Sequence, residues 1–115
     1  MINITKESEH DIFIIKVEGD VDASSSIHLD KAIRDAIEKG QKNIVIDCTG
    51  LQYISSAGLG VFMSYIQDFE DSGSKFVLFG LNAKVANVFE ILGLDQLLTI
   101  VETKGQAKSL INDEI

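Results

Sequence analysis

Ile44-Val45-Ile46-Asp47-Cys48-Thr49-Gly50-Leu51-Gln52-Tyr53-Ile54-Ser55-Ser56-Ala57-Gly58-Leu59-Gly60 decides how the rest of this chain is read. Ile44, Val45 and Ile46 form a short continuous apolar run between turn signals. A strand covered on both faces has this pattern, and such strands belong to parallel sheets. A loop containing Thr49 and Gly50 should follow. A helix should then begin near Ser55 or Ser56, where a hydroxyl can accept from unpaired N–H groups of the first turn. Leu59, Phe62, Ile66 and Phe69 recur at i, i+3, i+7 and i+10, the spacing of one buried helical stripe. Gly60, Ser64, Gln67 and Asp71 fall opposite, and Ser72-Gly73-Ser74 ends the element.

Toward the N-terminus, Ile2 and Ile4 alternate with Asn3 and Thr5, and Ile12 to Glu18 is a β-branched run closed by Gly19. Both read as strands, and the polar residues Glu7 to Asp11 between them suggest a hairpin. Ser24, Ser25 and Ser26 offer N-caps to a helix in which Leu29, Ala32, Ile33, Ala36 and Ile37 share a face and Gly40 is the residue past its end. Toward the C-terminus, Phe76 to Phe79 is a second buried strand closed by Gly80. Asn82 can cap a helix that reaches Leu92, with Val85, Val88, Phe89 and Leu92 on one side. Leu97 to Val101 reads as a last strand. Thr103-Lys104-Gly105-Gln106 has the form of a capping box before a short helix carrying Ala107, Leu110 and Ile111. The order β-β-α-β-α-β-α-β-α predicts an α/β fold, with a mixed, mostly parallel sheet of four to five strands, an N-terminal hairpin and about four helices packed on it. Sites in such sheets gather at the carboxyl ends of strands. That singles out Gly19 to Asp22, Asp47 to Ser56, and Gly80 to Asn82.

The 115 residues fit one domain spanning 1–115, and a 45% hydrophobic content suffices for a core. One cysteine, Cys48, cannot form an internal disulfide, which suits a reducing compartment. Met1 to Lys6 has neither the basic leader nor the apolar run of a signal peptide. No apolar stretch approaches the ~18 residues of a membrane span. The expectation is a cytoplasmic chain, a monomer or weak dimer. With 18 acidic against 10 basic residues the net charge is −8, which argues against phosphate-neutralising contacts to nucleic acid or to an anionic membrane. The plain role of such a charge is solubility.

Enzymatic chemistry finds little support. The Gly-x-Ser-x-Gly elbow is half present, because Ile54 stands where the first glycine belongs before Ser56-Ala57-Gly58. The two histidines, His10 and His28, fall in a predicted turn and at a helix start, where solvated surface roles are ordinary. A zinc ligand set is lacking. Gly58-Leu59-Gly60 starts a dinucleotide fingerprint that fails at Met63, where a third glycine is needed. Asp20, Asp22, Asp47 and Lys104 could mimic the acidic pocket and lysine of a response-regulator receiver. Yet only one helix and one strand fit between Ala23 and Ile46, too little for a receiver's acceptor aspartate. Neither cofactor nor metal is expected.

The serines at the predicted helix start have an ordinary explanation as caps. Gly58 and Gly60 weaken it, since each costs ~1 kcal/mol of helix propensity relative to alanine. Two glycines in that first stretch suggest that something approaches closely. A helix N-terminus also accommodates added negative charge, so a phosphate there would change the surface rather than the fold.

With these residues in view, the chain resembles the STAS domain family, and within it the bacterial anti-sigma factor antagonists. The resemblance covers nearly the whole chain. Its most specific part is the pattern Asp-Ser-[Ser/Thr]-Gly-Leu-Gly, matched by Ser55-Ser56-Ala57-Gly58-Leu59-Gly60. Gly19-Asp20-Val21-Asp22, the strand with Asp47, and Val88 to Asp95 are similar as well. The resemblance implies a non-enzymatic switch. Unphosphorylated, it would bind an anti-sigma factor that is also a serine kinase and so release a sigma factor. Phosphorylation of Ser56, with Ser55 as the competing acceptor, would turn it off, and a serine phosphatase would reset it. Asp20, Asp22, Asp47, Ser55, Ser56, Gly58 and Gly60 would form the partner-binding set, Asp22 matching a kinase-contacting position in relatives. Ser55 departs from the pattern's Asp and Ala57 from its Ser or Thr. The alternative is a STAS scaffold or ligand-binding subunit that is never phosphorylated.

Overall fold

A computed structural model describes residues 2–112. Five strands lie in one sheet in chain order: β1 (Ile2–Glu9), β2 (Ile12–Val21), β3 (Asn43–Ile54), β4 (Lys75–Phe79) and β5 (Thr99–Val101). β1 and β2 are antiparallel; the remaining neighbours are parallel. The helices are α1 (Ser26–Glu38), α2 (Ser56–Ser64), α3 (Ile66–Ser72), α4 (Ala83–Ile91) and α5 (Lys104–Asn112), with a 3-10 turn at Leu94–Gln96. The predicted mixed, mostly parallel sheet with its N-terminal hairpin is therefore present.

Alternation along the buried strands sorts the core into two layers. Ile15, Val17, Ile44, Ile46, Cys48 and Leu78 pack with Leu29, Ile33, Phe62 and Phe89 of the helices. Ile12, Ile14, Val45, Val77 and Phe79 face the other way, onto Ala107 and Ile111 of α5. Right-handed crossovers explain the division, since successive parallel strands laid down in one direction place their connecting helices on one face. Ion pairs from Lys104 Nζ to Glu9 Oε2 at 2.7 Å and from Lys108 Nζ to Glu9 Oε1 at 3.2 Å fasten α5 to the hairpin. The lysine hydrogen bonds, Lys104 first, hold the Glu9 carboxyl below its ordinary range.

Several elements depart from the sequence reading. Both hairpin strands are longer than predicted and leave only His10 and Asp11 in the turn, His10 with φ 57°. Gly19 does not close β2; it sits inside the strand at φ 96°, beside a register shift. Thr49 and Gly50 do not form a loop. β3 stays paired to β2 through Ile54 and absorbs its extra residues as bulges, because β2 still offers ladder partners after β4 has ended. The long predicted second helix breaks at Tyr65 into α2 and α3. The last strand is shorter than Leu97 to Val101. Leu92 and Leu110, placed on buried faces by their spacing, are exposed. The capping box is formed: Gln106 N–H donates to Thr103 Oγ1 at 3.1 Å, and Thr103 N–H donates to Gln106 Oε1 at 3.1 Å.

Candidate functional site

β4 reaches only Phe79, which pairs with Asp47, whereas β2 and β3 continue to Val21 and Ile54. The two longer strands extend past the rest of the sheet, and their ends carry the candidate residues. Asn82 braces the uncovered side of this extension: its Nδ2 donates to the Leu51 carbonyl at 3.1 Å while its Oδ1 caps α4 from Val85 N at 2.8 Å. Asp20 pairs with Tyr53 and Val21 with Ile54, and Ser55 N–H donates to the Val21 carbonyl at 2.8 Å. The starts of α1 and α2 are thus neighbours.

At the α1 start, the N-cap position is Ser25, whose side chain makes no cap hydrogen bond, and the turn leading into the helix is held by Asp22. Its Oδ1 accepts from Ser24 N and Ser24 Oγ at 3.1 and 2.9 Å, and from Ser25 N and Ser25 Oγ at 2.9 Å each. These donors, the Ser25 amide first, hold the Asp22 carboxyl down to about 2. Ser25 is turned to local duty, its Oγ accepting from Asp22 N at 2.8 Å, with the Asp20 carbonyl at 3.0 Å as the competing acceptor of its one proton. At the α2 start, Ser55 is the N-cap, its Oγ accepting from Gly58 N at 3.3 Å. The first backbone bond of the helix runs from Leu59 N to Ser55 O at 3.0 Å. The amides of Ser56 and Ala57 precede both bonds and meet no acceptor among the described residues, which leaves them to solvent or an anion. Ser56 is the first helical residue and is exposed, and its hydroxyl bonds no other described residue.

The two glycines separate. A Cβ on Gly58 would lie 2.7 Å from Ile54 Cγ1 and 2.7 Å from Val21 Cγ1, so the first turn of α2 sits directly on the ends of β2 and β3. A Cβ on Gly60 would meet nothing within 4 Å. The close approach at Gly58 is internal; Gly60 is open to the outside.

The structure brings Asp20, Asp22, Ser55, Ser56, Gly58 and Gly60 to one end of the molecule, and Asp47 is not with them. Asp47 lies seven residues before Ile54, roughly 20 Å back along the strand. Alternation with Val45 turns it toward the α5 face, where its Oδ1 accepts from Thr49 Oγ1 at 2.7 Å. The sequence reading missed three apolar side chains exposed on the elements that bear the site: Ile27 at 65%, Tyr53 at 49% and Met63 at 45%. A partial signal was present for two of them, since Ile27 and Met63 lie off the buried stripes of their helices. Among the described residues no cluster of three or more His, Cys, Asp or Glu could hold a metal ion, and no helix is long and apolar enough to cross a membrane.

The mixed sheet thus presents at one end an exposed serine on a helix start seated on two strand ends, which defines the chain as an α/β domain with its distinctive residues gathered where β2 and β3 outrun their neighbours. The chain belongs to the STAS domain family, whose profile matches residues 3–107. Over 101 residues it is 33% identical to the anti-sigma-B factor antagonist of Listeria monocytogenes, covering 88% of this chain and 89% of that protein. An anti-sigma factor antagonist from Mycobacterium paratuberculosis shares the fold with a TM-score of 0.90 at 18% identity, covering 97% of this chain and 95% of that one. So does SpoIIAA of Bacillus. Its unphosphorylated form gives a TM-score of 0.80 at 19% identity, over 96% of this chain and 97% of that one. Its phosphorylated form gives 0.71 at 19% identity, over 95% and 99%.

Proposed function

We propose that this chain is an anti-sigma factor antagonist whose unphosphorylated form binds an anti-sigma factor with serine-kinase activity and whose Ser56 receives the phosphate. One observation carries the reading: Ser56 is exposed and unengaged at the first position of α2, while its neighbour Ser55 is committed to capping. This favours Ser56 over Ser55 as acceptor. It also gives the departure at position 55 a physical sense, because serine and aspartate are both strong N-caps. The names of the relatives agree with the reading.

The switch works by charge. A phosphate on Ser56 adds about −1.5 to −2 charges. It would stand over the free Ser56 and Ala57 amides, so the helix tolerates it. A kinase surface built around a neutral hydroxyl and the phosphates of its own nucleotide would not, because like charges would be pressed together. A serine phosphatase then restores the binding form. The chain itself supplies docking surface rather than catalytic groups.

Intact-mass measurement after incubation with the cognate kinase and ATP should show one added phosphate, absent in Ser56→Ala. Ser56→Asp should weaken the kinase complex by at least ~1.4 kcal/mol, a factor of ten. Phosphate retained in Ser56→Ala would move the site elsewhere. Equal affinity of Ser56→Ala and Ser56→Asp would instead indicate a scaffold subunit that does not switch.

A further inference from the structure

Tyr65 stands where α2 ends and α3 begins, serving as the last cap of one helix and the first of the other at φ −100°, ψ −7°. No glycine or proline lies at the break. Beside it, Ser64 Oγ donates to the Val61 carbonyl at 2.7 Å, a back-bond that loosens the last turn of α2. The Tyr65 ring is buried, and its hydroxyl reaches across to α1, donating to Asp30 Oδ1 at 2.6 Å with the Asp30 carbonyl at 3.2 Å. Asp30 is held in turn by Arg34, with Nη2 to Oδ2 at 3.3 Å. Among the described residues, Tyr65 alone joins α1 to the α2–α3 segment by a side-chain hydrogen bond.

At its start α2 is tied down by the Ser55 N–H bond to the Val21 carbonyl at 2.8 Å, and from there to Tyr65 only apolar packing fixes its orientation. Its buried residues are Gly58, Leu59 and Phe62. Gly58 provides a close seat on Val21 and Ile54, but a seat is a point about which a nine-residue helix can turn. Apolar packing at Leu59 and Phe62 is non-directional. A hydrogen bond to a carboxylate is short and directional. A phenylalanine would fill the same space, so what the hydroxyl adds is alignment. Burial and the neighbouring Asp30 push the Tyr65 hydroxyl well up from its ordinary range, which keeps it a donor at any physiological pH.

We propose that Tyr65, acting through Asp30, is a positioning residue that sets α2 against α1 and so holds Ser56, Gly60 and Met63 in register with Asp22 and Ile27 for the partner. The inference rests on the antagonist reading above, since the two helices carry the two halves of that docking surface.

Tyr65→Phe tests it on the full chain, read by backbone amide shifts of the free protein and by affinity for the anti-sigma kinase. Shifts should spread up α2 to Ser56–Gly60, and affinity should fall about tenfold, the range of a lost hydrogen bond to a charged group. Asp30→Asn, which keeps an acceptor oxygen for the hydroxyl, should retain most of the affinity. Asp30→Ala should reproduce the loss, and combining it with Tyr65→Phe should add little further. A merely structural role would lower the melting temperature of Tyr65→Phe and leave binding of the folded protein unchanged, which overturns the proposal. If Tyr65→Phe does not fold, Asp30→Ala carries the same two readouts. If the unmodified chain fails to bind the kinase, the antagonist reading fails by itself. The positioning role is then decided by whether the shifts reach Ser56–Gly60 or stay around residues 30 and 65.

Discussion

Gly58 and Gly60 stand two residues apart in one helix and answer to different neighbours. Alanine at 58 would press its methyl against Val21 and Ile54, whose γ carbons are held close to the backbone and cannot swing away. The strain of overpacking, typically ~1–3 kcal/mol, exceeds the ~1 kcal/mol of helix propensity gained. Alanine at 60 meets nothing and should keep that gain. Urea denaturation should therefore show Gly58→Ala less stable and Gly60→Ala more stable than the parent, with Gly60→Ala losing affinity for the partner. A stabilised Gly60→Ala that binds normally would remove Gly60 from the interface. Asp22 gives a second prediction at this scale. Its carboxyl is lowered to about 2 in the folded chain, against an ordinary aspartate near ~4. A depressed carboxyl stabilises the fold fully above its unfolded value and loses that contribution as pH falls through the folded one. The acid side of the stability curve should therefore drop between about 4 and about 2, and Asp22→Asn should flatten that drop. Carboxyl titration by NMR should place Asp22 near the lower figure and find it raised in Ser24→Ala.

At the scale of elements, what the sequence revealed depended on which forces were local. The buried strands around Val45 and Val77, the caps at Ser55 and Asn82, and the capping box at Thr103 and Gln106 follow from neighbouring residues, and the structure has them. Where an element is decided by something distant in sequence, the pattern misled. β3 runs on past Asp47 because β2 lies alongside it, and Thr49-Gly50, a turn signal in isolation, stays in the strand, with a register shift between Asp47 and Gly50 and Gly50 paired to Glu18. The helix from Ser56 keeps its stripe through Phe69 but breaks at Tyr65, where the partner is Asp30 on another helix. The serine run before α1 looked like a set of side-chain caps, yet Ser25 holds the cap position without a side-chain bond and the turn before the helix is tied by Asp22. The candidate site follows the same division. Ser55, Ser56, Gly58 and Asp22 were visible as a motif, while Ile27, Tyr53 and Met63 were not singled out. Their role at the surface depends on which faces the sheet covers, and that is settled only when α1 and α2 lie side by side.

Over the whole molecule, strands laid down in chain order give one well-covered face and one covered chiefly by α5. The alternation of strand and helix made that architecture legible, but it could not tell how far each strand outruns its neighbour, which is what lifts the Ser56 end clear. The same layering encloses Cys48 at the middle of β3 with 0% exposure, and burial raises its thiol far above the ordinary range. Alkylating reagents attack the thiolate, so reaction must wait for the strand to leave the sheet. Labelling by iodoacetamide should be slow under native conditions and should accelerate with urea along the same slope as global unfolding. Fast labelling in buffer alone would mean that β3 opens locally. One sulfur atom thus serves as an internal clock for the folded state, against which each variant above can be timed without an added probe.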